Sequence, residues 1–143
     1  MVVIIVVMGL AIPALLNNWA DLSWRSVQSE IIADETFYAQ ALLEEIKSKE
    51  FVDPDYPDDQ ALGPNSGETY PYFDDVDDYN GFDNTTAGFR RTVAVDYANL
   101  TSSTWQHSAV YTDFKRIKVS VFRGGASGGS AGLETIVSNA TSG

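Results

Sequence analysis

The first sixteen residues, Met1 to Leu16, hold no charge and no polar side chain. A run like this has no solvent-facing side, so protein or lipid must surround it. Three placements compete. A buried helix of a soluble domain rarely lacks a polar face altogether. A cleavable export signal needs basic residues ahead of its apolar core, and none precede this one. A membrane helix fits the composition, but sixteen residues rise only about 24 Å against a hydrocarbon core of about 30 Å. The shortfall leads to the expectation that further residues precede Met1. Pro13 removes an N–H and would kink a helix unless neighbouring helices satisfy the freed carbonyl. Gly9 and Ala11 permit close helix approach. Two roles stay open on these residues: a single-pass anchor that tolerates a proline, or a packing helix that moves from bilayer to protein bundle. In either role the assembly positions are Val3, Ile4, Val7, Gly9, Leu10, Pro13, Leu16 and Trp19.

From Asn17 to Glu50 there is neither Gly nor Pro. Leu16, Ala20, Trp24, Val27, Ile31, Tyr38, Leu42 and Ile46 recur at helical spacing, and Ile32, Phe37 and Ala41 widen the stripe. The spacing predicts an amphipathic helix over 24–50, ended where Pro54 drives Asp53 out of the α region. Trp19 and Trp24 fit a membrane interface or a protein contact equally well.

Residues Val52 to Asp83 carry ten of the twenty acidic side chains and neither Lys nor Arg, with four of the five prolines. This stretch reads as an irregular acidic loop over 52–88, too long to be inert in a compact domain. Its densest part, Asp74 to Asp83, invites a calcium site, since Ca²⁺ takes six to eight oxygens. The EF-hand pattern fails, because Val76 and Ala87 fall at the first and last ligand positions. A turn-rich loop pinned by Phe73, Tyr79 and Phe82 is the preferred alternative. Paired carboxylates also serve glycoside hydrolysis, but no aromatic platform accompanies them, and the chain reads as non-enzymatic.

Beyond the loop, Phe89 to Tyr97 and Lys115 to Arg123 alternate apolar and polar, and Leu133 to Ser138 reads as a shorter third strand. A further short strand is expected near Ala109-Val110-Tyr111. Five glycines between Gly124 and Gly132 make a hairpin connection. An antiparallel sheet over 89–139 follows. Six of the nine basic residues lie on these strands: Arg90, Arg91, Lys115, Arg116, Lys118 and Arg123. A net charge of −11 excludes nucleic acid as partner, so these cations are expected to meet the loop's carboxylates, within or between subunits. There is no cysteine, hence no disulfide, and the one histidine, His107, is expected at the surface. Asn84, Asn99 and Asn139 open Asn-x-Thr sequons that could carry glycan on an exported chain.

The fold class expected is α+β: a long N-terminal helix, apolar stalk then amphipathic half, packed on a small antiparallel sheet. The stalk takes 1–23 and the globular head 24–143. That order of parts resembles a type IV pilin-like (prepilin-type) protein. Three stretches are most similar to minor pilins of mannose-sensitive haemagglutinin-type pili. They are Ala39-Gln40-Ala41-Leu42-Leu43-Glu44-Glu45-Ile46, Phe73-Asp74-Asp75-Val76-Asp77-Asp78-Tyr79-Asn80-Gly81, and Lys115-Arg116-Ile117 with Leu133 to Asn139. The family's basic leader, Gly-Phe processing point and early glutamate have no counterpart here, so the resemblance implies a longer true N-terminus. It also implies a structural filament subunit, processed by a prepilin peptidase and held as a single pass in the inner membrane. An assembly platform would then extract it into an extracellular or periplasmic filament with copies of itself and other pilins. The alternatives are a type II secretion pseudopilin and a membrane-anchored periplasmic calcium-binding module. No cofactor other than calcium is implied.

Overall fold

The computed structural model describes residues 19, 27, 29–123 and 130–139. The assembly positions Val3, Ile4, Val7, Gly9, Leu10, Pro13 and Leu16 lie outside these, as do Trp24 and most of the glycine-rich connection. The chain divides into two units, Met1–Asp34 and Glu35–Gly143. In the first, Trp19, Val27 and Ile32 are helical and exposed. No helix among the described residues is long and apolar enough to cross a membrane.

Helix α1 covers residues 29–47. Five strands follow: β1 (Asp83–Thr86), β2 (Phe89–Thr101), β3 (Thr104–Ser108), β4 (Phe114–Arg123) and β5 (Ala131–Ser138). They form one antiparallel sheet in the order β1-β2-β4-β5, with β3 also paired to β2. The long β2 is its spine. Two-residue turns close the β1–β2 and β2–β3 hairpins with positive φ at Ala87, Gly88, Ser102 and Ser103. That turn geometry matches the right-handed twist of the flanking strands.

Alternation decides the inner face. Phe89, Val93 and Val95 of β2 and Ile117, Val119 and Val121 of β4 are buried together with Ala39, Leu42 and Ile46, which share one side of α1. Phe73, Val76, Tyr79 and Phe82, from the stretch between α1 and β1, complete the same core.

This architecture overturns the expected fold class. In place of a long N-terminal helix packed on a small sheet, the described residues hold one short helix and a five-stranded, mostly β fold. The helix stops at residue 47 rather than near Glu50 because the backbone changes partner. The Ser48 N–H is shared between the Glu44 and Glu45 carbonyls, and Lys49 N–H bonds to Ile46. Glu50 then pairs strand-like with Asp75 through bonds to the Asp74 carbonyl (3.2 Å) and the Val76 N–H (3.0 Å). The sheet gains β1 from the expected loop 52–88. The strand expected near Ala109-Val110-Tyr111 forms earlier, as β3, because the tight turn at Ser102-Ser103 folds the polar stretch 104–108 straight back onto β2.

Leu42 is almost wholly buried while Phe37 is 65% exposed. Leu42→Ala is expected to lower stability by about 2–5 kcal/mol through transfer and cavity losses. Phe37→Ala should change it by no more than about 0.5 kcal/mol. Urea unfolding of the two variants checks the contrast.

Candidate functional site

The acidic stretch folds inward at its densest part. Asp77–Tyr79 forms a single 3-10 turn. Asp75 closes its start, its Oδ1 accepting the N–H groups of Asp77 (2.6 Å) and Asp78 (3.1 Å). Phe73 and Val76 before the turn and Tyr79 within it lie on the core side. Ring contacts at 5.0–6.4 Å join Tyr70, Phe73, Tyr79 and Phe82. Tyr79 donates its hydroxyl to Glu45 Oε1 of α1 at 2.8 Å. Burial, and then that carboxylate, hold the Tyr79 hydroxyl protonated far above its ordinary range. Asn80 Oδ1 accepts the Val95 N–H at 3.1 Å, fixing the loop to β2.

Behind this turn sits a buried charge pair. Lys115 of β4 is 2% exposed, and its Nζ donates to Asp77 Oδ1 and to the Phe51 carbonyl oxygen. The Phe51 ring centroid lies 4.5 Å from Nζ. Asp75, 1% exposed, stands beside the pair, its Oδ1 holding the Asp77 N–H. Burial first, then the hydrogen bond and charge of Asp77, push its pKa up to about 8. Lys115 thus pairs with Asp77, while burial favours the protonated form of the Asp75 carboxyl nearby.

The remaining carboxylates gather on the other side of Asp75. Asp53, Asp74 and Asp75 bring oxygens within 4.8 Å of one another, as do Glu68, Asp74 and Asp78. Burial raises the Glu68 and Asp74 pKa values, and the charges of Asp53 and Asp78 add to both. At Asp53 burial acts the same way but is outweighed. The Asp55 and Tyr56 N–H groups (2.7 and 2.9 Å) and the Asn65 amide hold its carboxyl below the usual range. At one oxygen per residue, each trio would supply half or fewer of the six to eight oxygens that Ca²⁺ takes. The calcium site expected along Asp74 to Asp83 is not one cluster. Asp77 is taken by Lys115 and Asp83 by Arg90, while Asp53 and Glu68 join from far upstream.

Strand cations do meet carboxylates within the chain: Arg90 with Asp83, Arg116 with Asp96, and Lys115 with Asp77. His107 is at the surface, its Nδ1 3.2 Å from Asp96. Of the assembly positions only Trp19 is described, and it is exposed. Asn99 is exposed on β2, Asn139 is half-buried after β5, and Asn84 Oδ1 on β1 is held by Thr86 and Arg91.

Lys115 meets a loop carboxylate as expected, at Asp77, but its burial was not foreseen: it lies two positions before Ile117, and the period of a strand puts both on the same inward face. One further residue escaped sequence reasoning. Glu35, buried in α1, accepts the Arg123 N–H at 3.0 Å, a contact across 88 residues that leaves no mark in local pattern.

No family model, no curated protein and no solved structure matches this chain.

Lys115→Met is expected to leave Asp77 buried without its cation and to destabilise by about 3–5 kcal/mol, read by denaturant unfolding. A second expectation concerns pH. In the fold Asp75 keeps its proton to about pH 8, whereas unfolded it loses it near 3.8. The folded state therefore binds more protons in between, and the stability that Asp75 contributes is lost as pH rises from about 4 to about 8. Asp75→Asn should flatten that decline in a series of thermal melts.

Proposed function

We propose that the chain is a structural subunit, a minor pilin, of a type IV pilus-like filament, assembled through its apolar N-terminal segment. The observation that supports this most is the division of labour along one stretch of sequence. Uncharged residues 1–16 precede in sequence the helix over 29–47, whose Ala39, Leu42 and Ile46 are buried in the head. The same helix leaves Phe37 largely exposed, with Val27 and Ile32 also exposed before it. Apolar side chains kept at the surface next to an all-apolar run suit packing against neighbouring subunits. Before assembly the run would rest in the inner membrane as a single pass. Exchange of lipid for a bundle of like helices changes its apolar burial little, so van der Waals packing decides the outcome. Copies of the chain, other pilins, an assembly platform and a prepilin peptidase are the partners this role requires.

The test is a fractionation of cells expressing the natural gene. The chain should appear in the membrane fraction and, together with other pilins, in filaments sheared from the surface. Leu10→Asp should abolish both, since a carboxylate in that run opposes burial in lipid and in a bundle alike. Phe37→Ala should lower incorporation several-fold while the head stays as stable as before. A chain absent from sheared filaments, or one that stays monomeric without detergent with residues 1–16 intact, overturns the reading.

A further inference from the structure

The acidic loop buries more carboxylates than the chain supplies with cations. Asp53, Asp75 and Asp78 are each no more than 4% exposed, yet none of them, nor Glu68 or Asp74, forms an ion pair among the described residues. Lys49, just before the loop, gives its Nζ to the Phe73 carbonyl oxygen instead. Burying a carboxylate is costly unless hydrogen bonds or a cation answer it. At Asp53 hydrogen bonds do so, with the Asp55 and Tyr56 N–H groups on Oδ1 and the Asn65 amide on Oδ2. Asp75 is committed to the turn through the two N–H groups on its Oδ1. Glu68, Asp74 and Asp78 are left. Glu68 Oε2 accepts the Asn65 N–H at 2.6 Å and Asp78 Oδ2 the Asp74 N–H at 3.1 Å, which engages one oxygen of each. Asp74 Oδ1 is shut off from solvent and meets no donor among the described residues. Native folds leave few enclosed polar atoms without a partner, and a bound ion is one of the usual reasons.

We propose that Glu68, Asp74 and Asp78 hold a calcium ion, with Asp74 Oδ1 as its most enclosed ligand. Carboxylate oxygens of the three lie within 4.8 Å of one another. One ion about 2.4 Å from each can bridge such a separation. The donor set selects the metal. It is all oxygen, without His or Cys, which suits a hard cation rather than zinc. Mg²⁺ demands a near-ideal octahedron and gives up its water reluctantly, whereas Ca²⁺ accepts irregular sets and bidentate carboxylates. Bidentate binding, together with water reaching the half-buried Glu68 and Asp74, completes the coordination number that single oxygens from the trio leave short. The ion also answers the charge of Asp53, whose carboxylate is equally close to that of Asp74. Its structural effect is to tie residue 68, far out in the loop, to the stretch whose Phe73, Val76 and Tyr79 build the core. The site goes beyond the filament role and does not depend on it.

The experiment is a Ca²⁺ titration of the purified full-length chain, stripped with a chelator and followed by calorimetry and thermal melts. Millimolar Ca²⁺ should give a binding heat that saturates at one ion per chain and should raise the melting temperature by several degrees. Mg²⁺ at the same concentration should give a much smaller shift. Asp74→Asn should weaken Ca²⁺ binding by roughly tenfold or more, the scale set by the loss of even an outer partner of a metal site. In chelator it should melt no lower than the wild type, because it removes a charge that no cation of the chain pairs. Glu68→Gln reads the same site from its half-buried side, so the test stands even if Asp74→Asn does not fold. Asp58→Asn, an exposed carboxylate outside the trio, should keep the wild-type affinity. Absence of both heat and melting shift overturns the proposal. So does a shift that survives in Asp74→Asn and Glu68→Gln, or one that sodium chloride of equal ionic strength reproduces. An equal response to Mg²⁺ overturns the choice of calcium. None of these outcomes bears on whether the chain enters filaments.

Discussion

The contact between Lys115 and Asp77 decides how the head is put together. It joins three parts of the chain that share no local signal: the segment just past α1 through the Phe51 carbonyl, the acidic turn through Asp77, and the centre of the sheet through β4. A buried pair adds little net stability over an apolar replacement, because desolvation consumes most of the Coulombic gain, yet removing either partner is costly. Its consequence is selectivity. In the observed register the buried ammonium has both of its acceptors, Asp77 Oδ1 and the Phe51 carbonyl oxygen.

Aromatic packing and backbone pairing reinforce that choice. The Asp75 bridge to Glu50 follows the end of the helix, Phe73, Val76 and Tyr79 face inward, and Gly81 and Phe82 exchange hydrogen bonds with Val93 of β2. A stretch rich in Asp and Pro, which would remain open on its own, becomes a core-forming layer. Its remaining carboxylates are then crowded together, and their pKa values move up or down according to how many N–H groups each can recruit.

The solvent side of the sheet tells a complementary story about charge. Arg90 and Arg116 are engaged by Asp83 and Asp96, and Lys118 lies opposite Glu134 in the register of β4 and β5. Cations already neutralised by their own strands make a poor phosphate-binding surface, in keeping with the strongly negative chain. Apolar side chains left outside, Phe37 foremost, are the more informative surface feature, because burying Phe37 in the head would have required a different helix face.

Local pattern alone carried much of the sheet. The alternation of Phe89, Val93 and Val95 and of Ile117, Val119 and Val121 reflects a period of two that any half-buried strand must obey, and it held residue for residue. The inward face of α1 at Leu42 and Ile46 was equally legible from its spacing. The helix end was not, because Glu50 left the helix for a partner at Asp75. Nor was β1, whose Asp-Asn-Thr-Thr has no apolar alternation and pairs only because the turn at Ala87-Gly88 folds it onto β2. The acidic site divided in the same way. Composition announced a concentration of carboxylates, but which of them meets a lysine, which keeps its proton and which face each other depended on chain crossings far apart in sequence. Periodicity is a property of neighbours along the chain, whereas a buried charge is answered by whatever the fold brings beside it.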